Sequence, residues 1–406
     1  MATGRINPEK FARQLTSKIS GQGGKPKPES SELWLDEPVF IVYNVARPYN
    51  SQNMGRSLMI DVSGCPYRCA FCWVHDEALG VKMQGAKPEA EPPLQQLGLR
   101  TPSGPQAAEA SEQASEKTAF LPRKIARLPD EVRKPMQRDG QISADELFKY
   151  VIGNVRARLE KGEVIDTIGF TGGSPTLYRG GLLRFAELLH KARQEDPRLP
   201  KMGIYTEGFH IAHDPSYLDP FVPYKDSLRW FVSVKNATPE TFSQMTRIDP
   251  CHSDNHFKAM RVIMEKLGTP VIPGGLVLDT FATPELLAEQ GMKNPLVALH
   301  RKLSEIHPDF PRMLSWDKLS LKVHDRAGHE RKMRGAGYET TMPPRDVLGQ
   351  LQEYFERQGT PILSFTPENP RIRDRAATDM MERIAADVQA RGERAKSEEG
   401  KKAATR

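Results

Sequence analysis

Residues 56–72 read RSLMIDVSGCPYRCAFC, an apolar segment that runs directly into a loop with three closely spaced cysteines. The segment 56–64 predicts a buried β-strand followed by a glycine-containing loop. Cys65, Cys69 and Cys72 follow a C-x3-C-x2-C spacing. A loop of this length can curl until all three thiolates point at one metal centre. The stretch therefore predicts a metal site at the end of a strand.

Two kinds of metal site fit this spacing. Three thiolates can hold three irons of a [4Fe-4S] cluster and leave the fourth iron open to a small ligand. Alternatively, His75 can add a fourth ligand and close a structural zinc site. A chance grouping of small buried side chains is the third interpretation. The spacing alone leaves these alternatives open.

Strands and helices alternate regularly after about residue 140. The first of these helices spans 143–162, and Ser143 with Glu146 forms a capping box at its start. We predict strands at 166–173, 201–208, 228–236, 269–279, 318–324 and 360–365. A polar stretch separates the second of these strands from the third, and helices at 181–194, 254–268, 283–307 and 345–359 separate the others. This alternation indicates parallel βαβ units. About six such units in a row, with no G-x-G-x-x-G after the first strand, favour a TIM-like barrel or partial barrel of the α/β class over a dinucleotide fold.

Composition excludes a membrane protein and a secreted disulfide-bonded protein. The chain has 406 residues, is 38% hydrophobic and 27% charged, and contains only four cysteines. No apolar run reaches the 18 residues of a membrane span, and the N-terminus has no apolar signal core. Clustered cysteines in so large a chain favour a metal site in the reduced cytosol over disulfides. We therefore expect a cytoplasmic protein with no membrane partner.

Local composition divides the chain into five parts. We predict a flexible leader at 1–36, followed by the first barrel strand and its cysteine loop at 37–82. A disordered insertion rich in Ala, Pro, Gln, Glu and Ser then spans 83–124. The rest of the barrel covers 125–365, and a basic C-terminal helix and tail cover 366–406. The net charge of +6 is concentrated at the flexible termini, where it favours solubility over nucleic-acid recognition.

The cysteine loop resembles the signature of the radical SAM superfamily, C-x3-C-x-aromatic-C, with Phe71 at the aromatic position. The resemblance covers roughly 55–82 and 140–365. It implies a partial (β/α)6 barrel, a [4Fe-4S] cluster on Cys65, Cys69 and Cys72, and S-adenosyl-L-methionine bound to the open iron. Reductive cleavage of this cofactor gives a 5′-deoxyadenosyl radical that abstracts hydrogen from a substrate. The electron would come from a flavodoxin- or ferredoxin-type donor.

The resemblance also implies which residues bind S-adenosyl-L-methionine. Gly172, Gly173, Ser174 and Pro175 are similar to the family's GGEP motif, whose backbone receives the amino group of the cofactor. Serine replaces glutamate here, a departure that leaves the backbone function intact. The glycines allow close approach of the ligand, and proline fixes the loop.

Further cofactor-binding residues are expected at the ends of the later strands. Thr206 lies at such an end, where barrel active sites gather their residues. Ser233 and Lys235 resemble the D-x-K strand of glycyl-radical-enzyme activases, with serine in place of aspartate. Gly274 corresponds to a glycine that admits the adenine, and His324 to a strand-end histidine near the cofactor.

Three functions follow from these patterns. The first is an activase-like radical SAM enzyme that acts on a protein glycine or a small molecule. The second is a radical SAM enzyme that modifies tRNA, because residues 69–75 resemble the C-x-F-C-W-x-H segment of the wybutosine-pathway enzyme. The third is a zinc-stabilised, non-enzymatic binding protein. For the remaining thiol, Cys251, an incidental position is favoured over a catalytic one.

Overall fold

The sheet at the centre of the molecule is mixed but mostly parallel. The computed structural model describes residues 7–20, 32–51, 55–69, 72, 74, 78–79, 128–136, 140–274, 276–277, 284–314, 316–317, 347–362 and 375–404. Ten strands lie in these ranges: β1 (Val39–Val45), β2 (Tyr49–Ser51), β3 (Gly55–Val62), β4 (Gln141–Ser143), β5 (Thr167–Gly172), β6 (Lys201–Thr206), β7 (Leu228–Ser233), β8 (Val271–Gly274), β9 (Leu276–Val277) and β10 (Trp316–Asp317).

Five parallel strands form the part of the sheet that carries the cysteine loop. The order is β4-β1-β3-β5-β6-β7-β8, with β2 beside β3. Strands β3, β5, β6, β7 and β8 run parallel to one another, whereas β1 and β2 run antiparallel to β3. The carboxyl ends of the five parallel strands therefore meet along one edge, where parallel α/β folds place their ligands.

Eleven helices lie in the described ranges. They are α1 (Pro8–Ser20), α2 (Asp130–Arg133), α3 (Ala144–Leu159), α4 (Arg179–Glu195), α5 (Phe209–His213), α6 (Pro239–Thr246), α7 (Asn255–Leu267), α8 (Pro284–Ala288), α9 (Pro295–Ile306), α10 (Val347–Arg357) and α11 (Arg375–Ala404). Short 3-10 segments cover 175–177, 215–227, 250–252, 291–293 and 310–313. None of the helices in the described part of the chain is long and apolar enough to cross a bilayer.

The predicted capping box at Ser143 is confirmed. The Ser143 hydroxyl accepts a hydrogen bond from the Glu146 N–H at 3.2 Å, and α3 begins at the next residue. Aromatic packing then joins the sheet to α4. Phe170 on β5 stacks on Phe40 of β1 at 5.1 Å and meets Phe185 of α4 edge-on at 5.0 Å. These buried rings fix the sheet that supports the cysteine loop.

Helices occur in both terminal segments, within the predicted leader at 1–36 and at the position of the predicted C-terminal helix in 366–406. Within 1–36, α1 packs on the body of the protein through the buried side chains of Ala12 and Leu15, and Leu33 and Leu35 are also buried. At the other end, α11 packs on α7 and buries Met381, Ile384, Ala385 and Val388. Each segment is polar on average but has one apolar side, and burying that side offsets the entropy of ordering.

The six-strand barrel is only partly reproduced. β9 and β10 pair in parallel as a separate two-stranded sheet. The sixth predicted strand at 318–324 and the insertion at 83–124 lie outside the described residues. Residues 360–362, which we predicted to begin a strand, form none. The sequence did not predict three features of the sheet. β4 is too short to carry a clear pattern, and the antiparallel pairing of β1 and β2 at the edge was not expected.

Candidate functional site

The cysteine loop begins two residues beyond β3, at the carboxyl edge of the parallel strands. Gly64 turns the chain at φ +83°, and its N–H donates to the Ala78 carbonyl at 2.6 Å. The Cys69 side chain is buried, while Cys65 and Cys72 are half-buried. The Cys72 N–H donates to the Cys69 carbonyl at 3.0 Å. The loop thus curls so that all three cysteines belong to one small region of the molecule.

The loop packs on aromatic and apolar side chains from several helices. Tyr67 and Cys69 share one buried cluster with Ala12 of α1, Phe209 of α5 and Phe242 of α6. The Tyr67 ring lies 5.8 Å from that of Phe242, edge to face. This packing shields the inner side of the cysteine loop from water.

The predicted Gly172–Pro175 segment lies directly against the base of the cysteine loop. The Gly173 N–H donates to the Val62 carbonyl at 2.7 Å, and the Ser174 N–H donates to the Gly64 carbonyl at 2.6 Å. Gly172 has φ +91°, and a Cβ at Gly173 would fall on the Gly64 carbonyl. The glycine pair is therefore required by the close approach of two backbones, whatever ligand the site takes.

The Ser174 side chain opens a chain of buried hydrogen bonds. Its hydroxyl donates to the Glu207 carboxylate at 3.0 Å and lies 3.0 Å from the Thr176 hydroxyl. Thr176 in turn contacts the Thr206 hydroxyl at 3.2 Å and His210 Nδ1 at 2.9 Å. All five side chains are buried. The Glu207 carboxylate, which directly follows β6, therefore lies beside the GG-x-P segment, where Ser174 replaces the glutamate of the GGEP motif.

The later strand ends bring further predicted residues to the same edge. Ser233 pairs in register with Gly274, and the Val234 N–H donates to the Gly274 carbonyl at 2.8 Å. Lys235 follows at the carboxyl end of β7, half-buried, where its charge acts on all three cysteines and on Glu207. The structure therefore brings Ser233, Lys235 and Gly274 to the edge that carries the cysteines.

Burial and charge shift the pKa values of this group in opposite directions. Burial raises the pKa of the Cys65 thiol well above its usual range and that of Cys69 to about 11, the latter against the opposing effect of Lys235. Burial also raises the pKa of Glu207. Burial lowers the pKa of Lys235, but the three cysteines and Glu207 more than compensate, so its net pKa is raised. The Lys235 ammonium favours the ionised, metal-binding form of the Cys69 thiol.

Some predicted residues take other roles or lie outside the described chain. The Thr206 hydroxyl accepts from the Gly208 N–H at 2.9 Å and contacts Thr176, so its polar atom is used inside the protein. Phe71, His75 and His324 lie outside the described residues. Cys251 is exposed, and burial and the neighbouring Asp249 raise its pKa, which is the opposite of an activated thiol.

Two functional candidates escaped the sequence analysis. The sequence analysis assigns no role to Glu207, because nothing in the sequence shows that its carboxylate turns toward the cysteine loop. It assigns none to Arg68 either, yet the Arg68 guanidinium donates to the carbonyls of Cys65, Tyr67 and Leu79. The sequence signal that could have identified both is a charged residue directly after an apolar strand or between two closely spaced cysteines.

The thiols of Cys65, Cys69 and Cys72 are not arranged around a single point. Among the described residues, no group of three His, Cys, Asp or Glu side chains stands in a geometry that could hold one metal ion. A cluster ligated by three thiolates makes a different demand, because each thiolate binds its own iron. The soft sulfur donors and the neighbouring cations suit an iron-sulfur group chemically.

Comparisons with known proteins add little to this geometry. No protein-family model matches the sequence, and the curated proteins give no match. Among solved structures, the chain is similar to SuiB of Streptococcus suis, solved bound to its precursor peptide SuiA, with 12% sequence identity and a TM-score of 0.41. The match covers 76% of this chain and 48% of SuiB, so the chain spans about half the length of that protein. We draw neither fold family nor function from a similarity at this level.

Proposed function

We propose that this protein is a radical SAM enzyme whose Cys65, Cys69 and Cys72 hold a [4Fe-4S] cluster. The observation that carries the proposal is the juxtaposition at the carboxyl edge of the parallel strands. There the three-cysteine loop is hydrogen-bonded at its base to the glycine pair, and Lys235 lies close enough for its charge to act on every thiol. The signature spacing that suggested the family thus coincides with a spatial site.

The residues around the loop have separate tasks in this proposal. Together, a [4Fe-4S] cluster and S-adenosyl-L-methionine supply a 5′-deoxyadenosyl radical for hydrogen abstraction once an electron is delivered. Lys235 would pair with the carboxylate of the cofactor, and the backbone of Gly172–Pro175 would receive its amino group. Ser233 and Gly274, which are neighbours in register, would border its adenosine part. The packed side chains beneath the loop exclude water from the reacting region.

Substrate and partners follow from the same proposal. The S-x-K end of β7 favours an activase-like enzyme that acts on a protein glycine or a small molecule. A tRNA substrate is the second candidate, because residues 69–75 carry the C-x-F-C-W-x-H pattern and the net charge is +6. The electron donor would be of the flavodoxin or ferredoxin type, and the enzyme would work in the cytoplasm.

Anaerobic reconstitution with iron and sulfide, followed by S-adenosyl-L-methionine and dithionite, tests the proposal. We expect a brown protein with broad absorbance near 400 nm that forms 5′-deoxyadenosine. A colourless protein that binds one zinc through the same cysteines would instead support the binding-protein alternative. Steep salt dependence of tRNA binding would favour the second substrate class over the first.

A further inference from the structure

Arg68 lies between Cys65 and Cys69, and its guanidinium donates hydrogen bonds to backbone carbonyls of the loop region. Nη1 donates to the Cys65 carbonyl at 2.7 Å and to the Tyr67 carbonyl at 2.8 Å, and Nη2 donates to the Leu79 carbonyl at 3.2 Å. These contacts join both ends of the curled segment. A planar guanidinium with five N–H donors is the side chain best suited to binding several acceptors at once.

Backbone hydrogen bonds also hold the described part of the loop. The Cys72 N–H donates to the Cys69 carbonyl at 3.0 Å, and the Arg68 N–H donates to the Thr246 carbonyl of α6 at 3.3 Å. Pro66 has no N–H to donate. The carbonyls of Cys65 and Tyr67 need partners because a buried carbonyl without one costs about 1 to 3 kcal/mol. Arg68 supplies those partners.

The N-terminal helix holds Arg68 from the other side. The Arg68 guanidinium carbon lies 3.9 Å from the centre of the Phe11 ring, a cation-π arrangement. Helix α1 is itself anchored: Ala12 is buried against the Tyr67 and Cys69 cluster, and Glu9 lies 3.4 Å from His213 of α5.

We propose that Phe11 and Arg68 form a clasp that holds the three-cysteine loop in its curled shape. They act as positioning residues, because neither ligates metal: Phe11 fixes the guanidinium, and the guanidinium fixes the loop carbonyls. The effect on the loop is independent of what binds there, whereas the consequence for iron rests on the proposed function. Helix α1 is therefore part of the site although it lies outside the sheet.

Hydrogen exchange of the metal-free protein tests the clasp directly. In Arg68→Met, a peptide covering 64–72 should take up deuterium at labelling times about tenfold shorter than in the wild type, while a peptide from α3 stays unchanged. This factor corresponds to about 1.4 kcal/mol, as expected for the loss of one charge-assisted hydrogen bond or more. Phe11→Leu should show a smaller change of the same kind. Unchanged exchange at 64–72 in Arg68→Met would overturn the proposal.

A matched arginine provides the control. Arg179 also lies over an aromatic ring, that of Trp34 at 4.8 Å, and pairs with Asp36 at 2.6 Å. Within the described part of the chain, none of its hydrogen bonds or ring contacts is with the cysteine loop. Arg179→Met should leave exchange at 64–72 within twofold of the wild type. A change equal to that of Arg68→Met would show that loss of any stacked arginine loosens the loop and would overturn the assignment.

Iron release extends the test to the loaded protein. With an iron chelator in excess, Arg68→Met should lose iron about tenfold faster than the wild type. Arg68→Lys, which keeps the charge but cannot donate to three carbonyls at once, should behave nearly as poorly; release at the wild-type rate would overturn the role of the forked geometry. If the wild type takes up no iron, the proposed function fails, and the exchange experiment still decides the clasp.

Discussion

Replacing Gly173 by alanine should separate the two loops that build the site. A Cβ at this position would fall on the Gly64 carbonyl and lie 2.9 Å from the Val62 carbonyl, and both are backbone atoms that cannot rotate away. To relieve the clash, the chain must give up the hydrogen bonds from Gly173 to Val62 and from Ser174 to Gly64. Gly64 directly precedes the first cysteine, so the displacement reaches the thiols.

The expected magnitude comes from two contributions. Two backbone hydrogen bonds are worth about 1 kcal/mol each, and overpacking costs about 1 to 3 kcal/mol. The free energy of unfolding should therefore fall by about 3 to 5 kcal/mol in urea titrations of the metal-free protein. Iron content after anaerobic reconstitution should fall as well, because the first cysteine is moved.

Gly153→Ala is the matched control for this substitution. Gly153 is exposed in the middle of α3, and a Cβ there would meet no atom within 4 Å. Alanine should stabilise the helix by about 0.5 to 1 kcal/mol and leave iron content unchanged. If Gly173→Ala showed the stability and iron content of the control, the close approach of the two loops would be refuted.

Three further predictions concern charge and protonation at the site. Lys235→Met should weaken S-adenosyl-L-methionine binding by roughly ten- to hundredfold in titration calorimetry, because a charge-assisted hydrogen bond is worth about 1.5 to 3 kcal/mol. The iron-sulfur spectrum should stay unchanged. Unaltered affinity would show that Lys235 does not bind the cofactor and lies only at the rim of the site. Burial raises the pKa of Cys69 to about 11, so metal must displace a proton, and apparent iron affinity should still rise with pH above about 9, where an ordinary thiol is already ionised; a profile that levels off near pH 9 would contradict the buried thiol. Burial lowers the pKa of His210 to about 3, so the folded state stays neutral where an unfolded histidine takes up a proton below about 6.5. As the pH falls from about 6.5 towards 3, this histidine should therefore lower the free energy of unfolding by up to roughly 1.4 kcal/mol per unit. His210→Asn should remove this contribution in urea titrations at several pH values, whereas that of His256, whose pKa burial also lowers to about 3, should remain. An unchanged slope in the variant would assign the acid sensitivity to other groups.

Long, periodic elements could be predicted from the sequence. The parallel strands β3 and β5 to β8 and helices α3, α4 and α7 occur close to their predicted positions, because buried strands and amphipathic helices carry strong patterns. Edge strands could not be predicted in the same way. β4 has three residues, and the antiparallel direction of β1 depends on pairing partners that composition does not encode.

Helix α1 shows a signal that average composition concealed. Pro8 stands at the helix start, and Phe11, Leu15 and Ile19 follow at four-residue spacing. The surrounding leader is rich in Gly, Lys, Pro and Ser, so its average composition hides this apolar stripe. A window of one helix length would have identified it, since periodicity and not mean polarity decides whether a face can be buried.

The candidate site could be predicted where it depends on spacing and not where it depends on side-chain direction. The cysteines and the glycine pair have fixed sequence separations, and the structure places them together. Glu207 and Arg68 depend on which way a side chain turns at the end of a strand or inside a loop. That direction is set by tertiary contacts, here the Ser174 hydroxyl and the Phe11 ring, which local sequence does not reveal.

Iron stoichiometry in single cysteine variants tests the central claim most directly. The chain contains four cysteines, so Cys251→Ala is a matched control outside the loop. After anaerobic reconstitution, the wild type and Cys251→Ala should each bind about four irons per chain, as one [4Fe-4S] cluster requires. Alanine at Cys65, Cys69 or Cys72 should abolish stable cluster binding, because three thiolates leave no spare protein ligand. Full iron content in any of these three variants would contradict the account.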